Sequence, residues 1–216
     1  MKKQQIKSRD RVVNHGEVFT NEREVKAMCD LVSNETVRID SRFLEPACGD
    51  GNFLIEVLKR KLEEVKKKYK KSSYDYERFS LLTLGSLYGV DLLEDNVEKC
   101  RERLFDYWLN EYKNNVKKDF DNLAVKSAKF ILSKNIICGN ALSLKKVNSN
   151  CEDIDEPIIF SEWSYPLNDF RMQRKDYTLD ELLKEDIIYS LLDENLKEGR
   201  FLKQYICHYK RISEEE

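Results

Sequence analysis

Apolar residues recur along most of this chain at helical spacing, and the helical stretches are separated by short apolar runs that end in or near glycine. Val25, Met28, Cys29 and Val32 stand at i, i+3, i+4 and i+7, which predicts a helix over about residues 21 to 33. Asn21 with Glu24 three residues later supplies a capping-box start for it. The short run Arg42-Phe43-Leu44 reads as a strand leading into Glu45-Pro46-Ala47-Cys48-Gly49-Asp50-Gly51. A second helix opens at about Asn52, with Phe53, Leu54, Val57, Leu58, Leu62, Val65 and Tyr69 as its apolar stripe. Residues 72 to 80 read as a charged hinge. A strand at Ser86–Asp91 then precedes a long helix over about residues 94 to 117, with Val97, Cys100, Leu104, Trp108 and Val116 inward. Asn135–Gly139 and Pro157–Phe160 read as the third and fourth strands. A helix near residues 179 to 196 and a strand over about 201 to 209 follow.

Strands separated by helices predict an α/β fold with a mainly parallel sheet and right-handed crossovers. Ligands bind such sheets at the carboxyl ends of the strands. The 216 residues are 41% hydrophobic and 36% charged with seven Gly and three Pro, which suits a single globular domain and excludes collagen-like and Pro-rich disordered classes. Every apolar run falls short of the roughly 18 residues a membrane helix needs. The basic start MKKQQIKSRDRVV leads into no apolar core of signal-peptide length, so a cytoplasmic protein with no membrane partner is expected. The six cysteines form no CxxC pair and the two histidines lie at opposite ends, a spacing that supports neither a metal site nor a disulfide framework.

The net charge of -2 conceals an asymmetry. Residues 1 to 150 carry 29 Lys+Arg against 23 Asp+Glu, whereas residues 151 to 216 carry 9 against 17. A dense basic stretch, Lys59, Arg60, Lys61, Lys66, Lys67, Lys68, Lys70 and Lys71, reads first as a solvated helix face and second as a phosphate-contacting surface.

Five of the scarce glycines, Gly16, Gly49, Gly51, Gly89 and Gly139, stand at or beside strand ends or just before the first helix. Gly49 and Gly51 close a strand and open a helix, so their turn can offer backbone N–H groups and the positive helix end to an anion. Asp91 at the tip of the second strand can accept hydrogen bonds from ribose hydroxyls. Together they indicate a nucleoside-containing cofactor. A nicotinamide dinucleotide fits poorly, because the loop is CGDGNF rather than GxGxxG and Asp91 follows Gly51 by forty residues rather than about twenty.

The segments HGEVFT at 15 to 20, EPACGDGNF at 45 to 53, YGVDL at 88 to 92 and CGNAL at 138 to 142 follow the order found in one family. Over roughly residues 14 to 160 the chain resembles S-adenosylmethionine-dependent DNA adenine-N6 methyltransferases of restriction-modification systems. The resemblance implies a Rossmann-like methyltransferase fold, S-adenosylmethionine as cofactor and DNA as partner. By it, Phe19 and Thr20 border the cofactor, while Glu45, Ala47 and Gly49 form its methionine pocket. Phe53 closes that pocket from below, or is an ordinary helix core residue. Asp91 holds the ribose, and Asn140 bonds the adenine edge.

The chain departs from the family after the fourth strand. Relatives carry a polar residue, two prolines and an aromatic ring there, in which the polar group and a proline carbonyl bond the target amine and the ring stacks on the extruded base. Here the sequence is Ile158-Ile159-Phe160-Ser161-Glu162-Trp163-Ser164-Tyr165-Pro166. Ser161 as polar acceptor, with Trp163 or Tyr165 as platform, makes a modified catalytic loop, although Glu162 sets a negative charge beside an incoming polyanion. The competing expectation is that Trp163 and Tyr165 pack under a loop. About five strands are legible where the family has seven, and no DNA-recognition domain follows, which points to a truncated form completed by a second subunit or a homo-oligomer. Two functions are therefore weighed: an adenine-N6 DNA methyltransferase or a component of one, and a catalytically degenerate cofactor- or DNA-binding subunit. RNA or protein as substrate stays open, since the strong motifs report cofactor only.

Overall fold

The computed structural model describes residues 20–188 and 201–214, together with Arg11 and Val13. Among these, no helix is long and apolar enough to cross a membrane. Helix α1, Glu22–Leu31, starts with the expected capping box: Asn21 Oδ1 accepts the Arg23 N–H at 3.0 Å and Glu24 Oε2 accepts the Asn21 N–H at 3.3 Å. Val25 and Cys29 are buried, but Met28 and Val32 stay nearly half exposed, so the helix packs on a narrower stripe than its spacing predicts. One further helical turn, α2, covers Ser33–Thr36.

Three strands, β1 (Phe43–Glu45), β2 (Leu87–Asp91) and β3 (Ile136–Cys138), form a parallel sheet in that order. Helices α3 (Asn52–Tyr69) and α4 (Ser73–Gly85) make the first crossover. Helix α5 (Glu94–Val116), a 3-10 turn at Lys117–Asp119 and α6 (Asn122–Asn135) make the second. Leu54, Val57, Leu58, Leu104, Trp108 and Ile131 lie in the core these elements share. The result is a mixed α/β arrangement whose strand-loop-helix units stand where the sequence pattern puts them.

The expected hinge at 72–80 is instead helix α4. Glu77 and Arg78 on it are buried: Glu77 accepts from the hydroxyls of Tyr112 and Tyr209 and from Lys210 Nζ at 2.9 Å. The Arg78 guanidinium lies 5.1, 5.4 and 4.6 Å from the ring centres of Tyr74, Phe79 and Tyr165. The basic stretch also needs correction at one position. Lys61 is fully buried and donates to the carbonyls of Ile39 and Ser41 and to Ser86 Oγ, so it touches neither solvent nor phosphate.

Beyond β3 the chain forms a two-stranded antiparallel hairpin, β4 (Lys145–Val147) with β5 (Asp153–Pro157). A second, antiparallel sheet follows, from β6 (Ile159–Ser164), β7 (Arg171–Thr178) and β8 (Lys203–His208), with α7 (Leu179–Ile188) after β7. The expected fourth strand at Pro157–Phe160 therefore does not extend the parallel sheet. The turn after Ser164, with Asn168 at φ 50°, folds the chain back on itself and pairs β6 with β7. Ile158, Phe160 and Leu179 then cover Tyr88 and Val90 on one face of the parallel sheet.

Candidate functional site

A cleft of about 490 Å³ opens at the carboxyl ends of β1, β2 and β3, lined by Thr20, residues 45–50, Asn52, Phe53, residues 91–93, Asn96 and residues 139–142. Its floor is the turn from β1 into α3. Gly49 and Gly51 have φ of 51° and 84°, the left-handed region that glycine enters without strain. A Cβ on Gly51 would also lie 2.7 Å from Cys100 Sγ, so the loop sits directly on α5. Gly51 is the N-cap of α3, no side chain caps the helix, and its first turn carries no acidic residue. The N-terminal N–H groups of α3 thus present partial positive charge at the cleft through Asn52 and Phe53.

Asp91 ends β2 and organises the adjacent wall. Its Oδ2 accepts the Gly49 N–H at 2.9 Å, and its Oδ1 accepts the Leu93 N–H at 2.9 Å and Asn96 Nδ2 at 3.1 Å. A carboxylate offers about four acceptor positions, so about one remains. Glu45, at the end of β1, is half-buried, and that burial raises its carboxyl above the usual range against the opposing pull of the Ala47 N–H.

Asn140 turns back on its own loop: Oδ1 accepts the Leu142 N–H at 3.0 Å, and Nδ2 donates to Asp153 Oδ1 at 3.0 Å, tying the third wall to the β4–β5 hairpin. Phe53 lines the cleft, and its ring packs 6.3 Å from that of Phe43. Thr20 forms part of the rim, where its carbonyl accepts from Asn52 Nδ2 at 3.4 Å. Seven residues singled out from sequence, Thr20, Glu45, Ala47, Gly49, Phe53, Asp91 and Asn140, thus line one cleft; Phe19 lies outside the described residues.

Ser161, Trp163 and Tyr165 do not line it. The first two lie within β6 rather than in a loop, and their side chains face the helices. Ser161 Oγ donates to Asp176 Oδ1 at 2.6 Å and accepts from Arg174 Nε at 3.2 Å. Trp163, 5% exposed, packs against Gly85 and edge-on to Phe130. Tyr165 donates its hydroxyl to the Arg78 carbonyl at 3.2 Å beneath the Arg78 guanidinium. Glu162 is not uncompensated, because Arg42 pairs with it at 3.5 Å. Sequence reasoning missed Asn96 and Arg103, both on α5. No motif marks Arg103, which reaches Asp50 and Asn52 of the glycine turn from its place one turn beyond Cys100.

The profile of the family described as "MmeI, DNA-methyltransferase domain" matches residues 20–184. The chain belongs to that family. The match takes in the whole cleft and extends through β6 and β7 into α7, so it covers the parallel sheet and two of the three antiparallel strands, while β8 lies beyond it. A Methanocaldococcus jannaschii protein named "putative type II restriction enzyme and methyltransferase" is 35% identical over 107 residues, which cover 47% of this chain and 8% of that protein. The chain thus spans less than a tenth of that relative's length. No solved structure matches it.

Proposed function

We propose that this chain binds S-adenosylmethionine in the cleft and is the methyl-donor part of a restriction-modification DNA methyltransferase of the adenine-N6 type. The observation that carries the reading is the convergence of the CGDGN turn, the uncapped start of α3 and Asp91 on one cleft at the carboxyl ends of three parallel strands, as in a Rossmann-like cofactor site.

The donor set fits that cofactor. Asp91 has an acceptor position left for a ribose hydroxyl, and the α3 amino end suits the methionine carboxylate. Glu45 and the Ala47–Gly49 turn suit the ammonium end, Phe53 supports the sulfur-bearing chain from below, and the loop braced by Asn140 borders the adenine. When bound, the sulfonium group supplies the activated methyl. The protein's own part is to hold donor and acceptor in line and to exclude water, which lowers the barrier by prepaying orientation.

A second reading, a cofactor- or DNA-binding subunit that completes a partner or a second copy of itself, is favoured by one observation. Ser161, Trp163 and Tyr165 are occupied in packing rather than at the cleft. Incubation with tritiated S-adenosylmethionine and mixed-sequence DNA, followed by nucleoside analysis, separates the two. Label recovered as N6-methyladenine supports the methyltransferase. Cofactor binding by calorimetry without transfer selects the subunit reading, and absence of binding to both cofactor and DNA defeats both.

A further inference from the structure

Arg103 projects from α5 toward the glycine turn and makes three contacts with it. Its Nη1 donates to the Asp50 carbonyl at 2.7 Å and pairs with Asp50 Oδ2 at 2.7 Å; its Nη2 donates to Asn52 Oδ1 at 3.0 Å. Asn52 in turn reaches the Thr20 carbonyl on the rim. One helical turn earlier on the same face, Cys100 fills the space beneath Gly51. Helix α5 therefore sets the turn by a steric floor and by a forked cation, three residues apart.

The fork also has an electrostatic consequence. Asp50 belongs to the lining of the cleft. Unpaired, its carboxylate would stand beside the amino end of α3 and repel any anion approaching there. With the guanidinium bound to it, the local charge is cancelled and the helix end is left to act on the ligand.

We infer that Arg103 is a positioning residue for the amino-acid end of the cofactor: it fixes the turn and neutralises Asp50, and so sets affinity for the ligand's carboxylate rather than for its nucleoside. This rests on the reading of the cleft as an S-adenosylmethionine site. Calorimetry on the full chain compares two ligands, S-adenosylhomocysteine, which has the amino-acid end, and 5′-methylthioadenosine, which lacks it.

Arg103→Gln is expected to weaken S-adenosylhomocysteine by about tenfold or more while 5′-methylthioadenosine changes by less than about twofold. Arg103→Lys, which keeps the charge but loses the fork, is expected to show the same split with a smaller loss, and it serves as the test if Arg103→Gln does not fold. Equal losses for the two ligands, or none for either, would overturn the inference. Failure of the unaltered protein to bind S-adenosylhomocysteine would instead sink the reading of the cleft itself.

Discussion

Asp91 Oδ2 accepts the backbone N–H of Gly49 at 2.9 Å, across 42 residues of chain, and together with the bond from the Cys48 N–H to the Val90 carbonyl at 2.9 Å it joins the ends of β1 and β2 into one wall of the cleft. Asp91→Asn keeps the side-chain shape but turns an N–H toward donors that need an acceptor. If Asp91 also takes a ribose hydroxyl, the variant should lose about tenfold or more in affinity for S-adenosylmethionine by calorimetry. Unchanged affinity would remove Asp91 from the site.

Gly51→Ala should harm both fold and cleft. At φ 84° a side chain costs about 1–2 kcal/mol, and its Cβ would meet Cys100 Sγ at 2.7 Å. Urea unfolding should show a loss of at least that size. Cys100→Ala in the same chain should recover only the steric part, because the backbone strain stays.

Glu77 joins α4, α5 and the segment after β8 through Tyr112, Tyr209 and Lys210. Removing its charge leaves the buried hydroxyls of Tyr112 and Tyr209 short of an acceptor, while the partly exposed Lys210 keeps Asp121 at 2.7 Å, so Glu77→Ala should cost about 1–3 kcal/mol in urea unfolding. Glu77 is not among the cleft residues, so cofactor affinity per folded molecule should hold. A variant as stable as the parent would show that this network contributes nothing.

Burial pushes the Lys61 ammonium from its ordinary 10.5 down to about 7. Between those values the unfolded chain holds a proton that the folded chain has released. This residue's contribution to stability therefore rises as pH increases through 7 and levels off above 10.5. Denaturation midpoints at pH 7 and pH 9.5, compared between the parent and Lys61→Met, should show the upward slope reduced in the variant. An identical slope in both would contradict the assignment.

The strand-turn-helix units around Gly49 and Asp91 were legible because each is specified locally: an apolar run, a glycine or acidic residue at its end, and a periodic helix after it; the end of β3 before Asn140 was legible from its apolar run and Gly139, though a hairpin and not a helix follows. The hinge reading of residues 72–80 failed because Glu77 and Arg78 look like surface charges until Tyr112, Tyr209 and Tyr165 close over them from distant parts of the chain. Strand β7 was hidden for the same reason. Arg174 and Asp176 point inward as a bidentate pair, with 2.7 and 2.6 Å contacts, and so break the apolar alternation expected of a buried strand. Whether β6 would pair parallel or antiparallel was not written in its own residues; the turn around Asn168 decides it. The same turn takes Ser161 and Trp163 into the interior, which the local sequence, polar and aromatic in the expected place, gave no means of seeing.

Calorimetric titration of the full chain with S-adenosylmethionine tests the account most directly. Saturable binding at one site per chain, weakened by Asp91→Asn, is the predicted result. No binding at ligand concentrations up to about 1 mM, a limit that corresponds to roughly 4 kcal/mol of affinity, would contradict it.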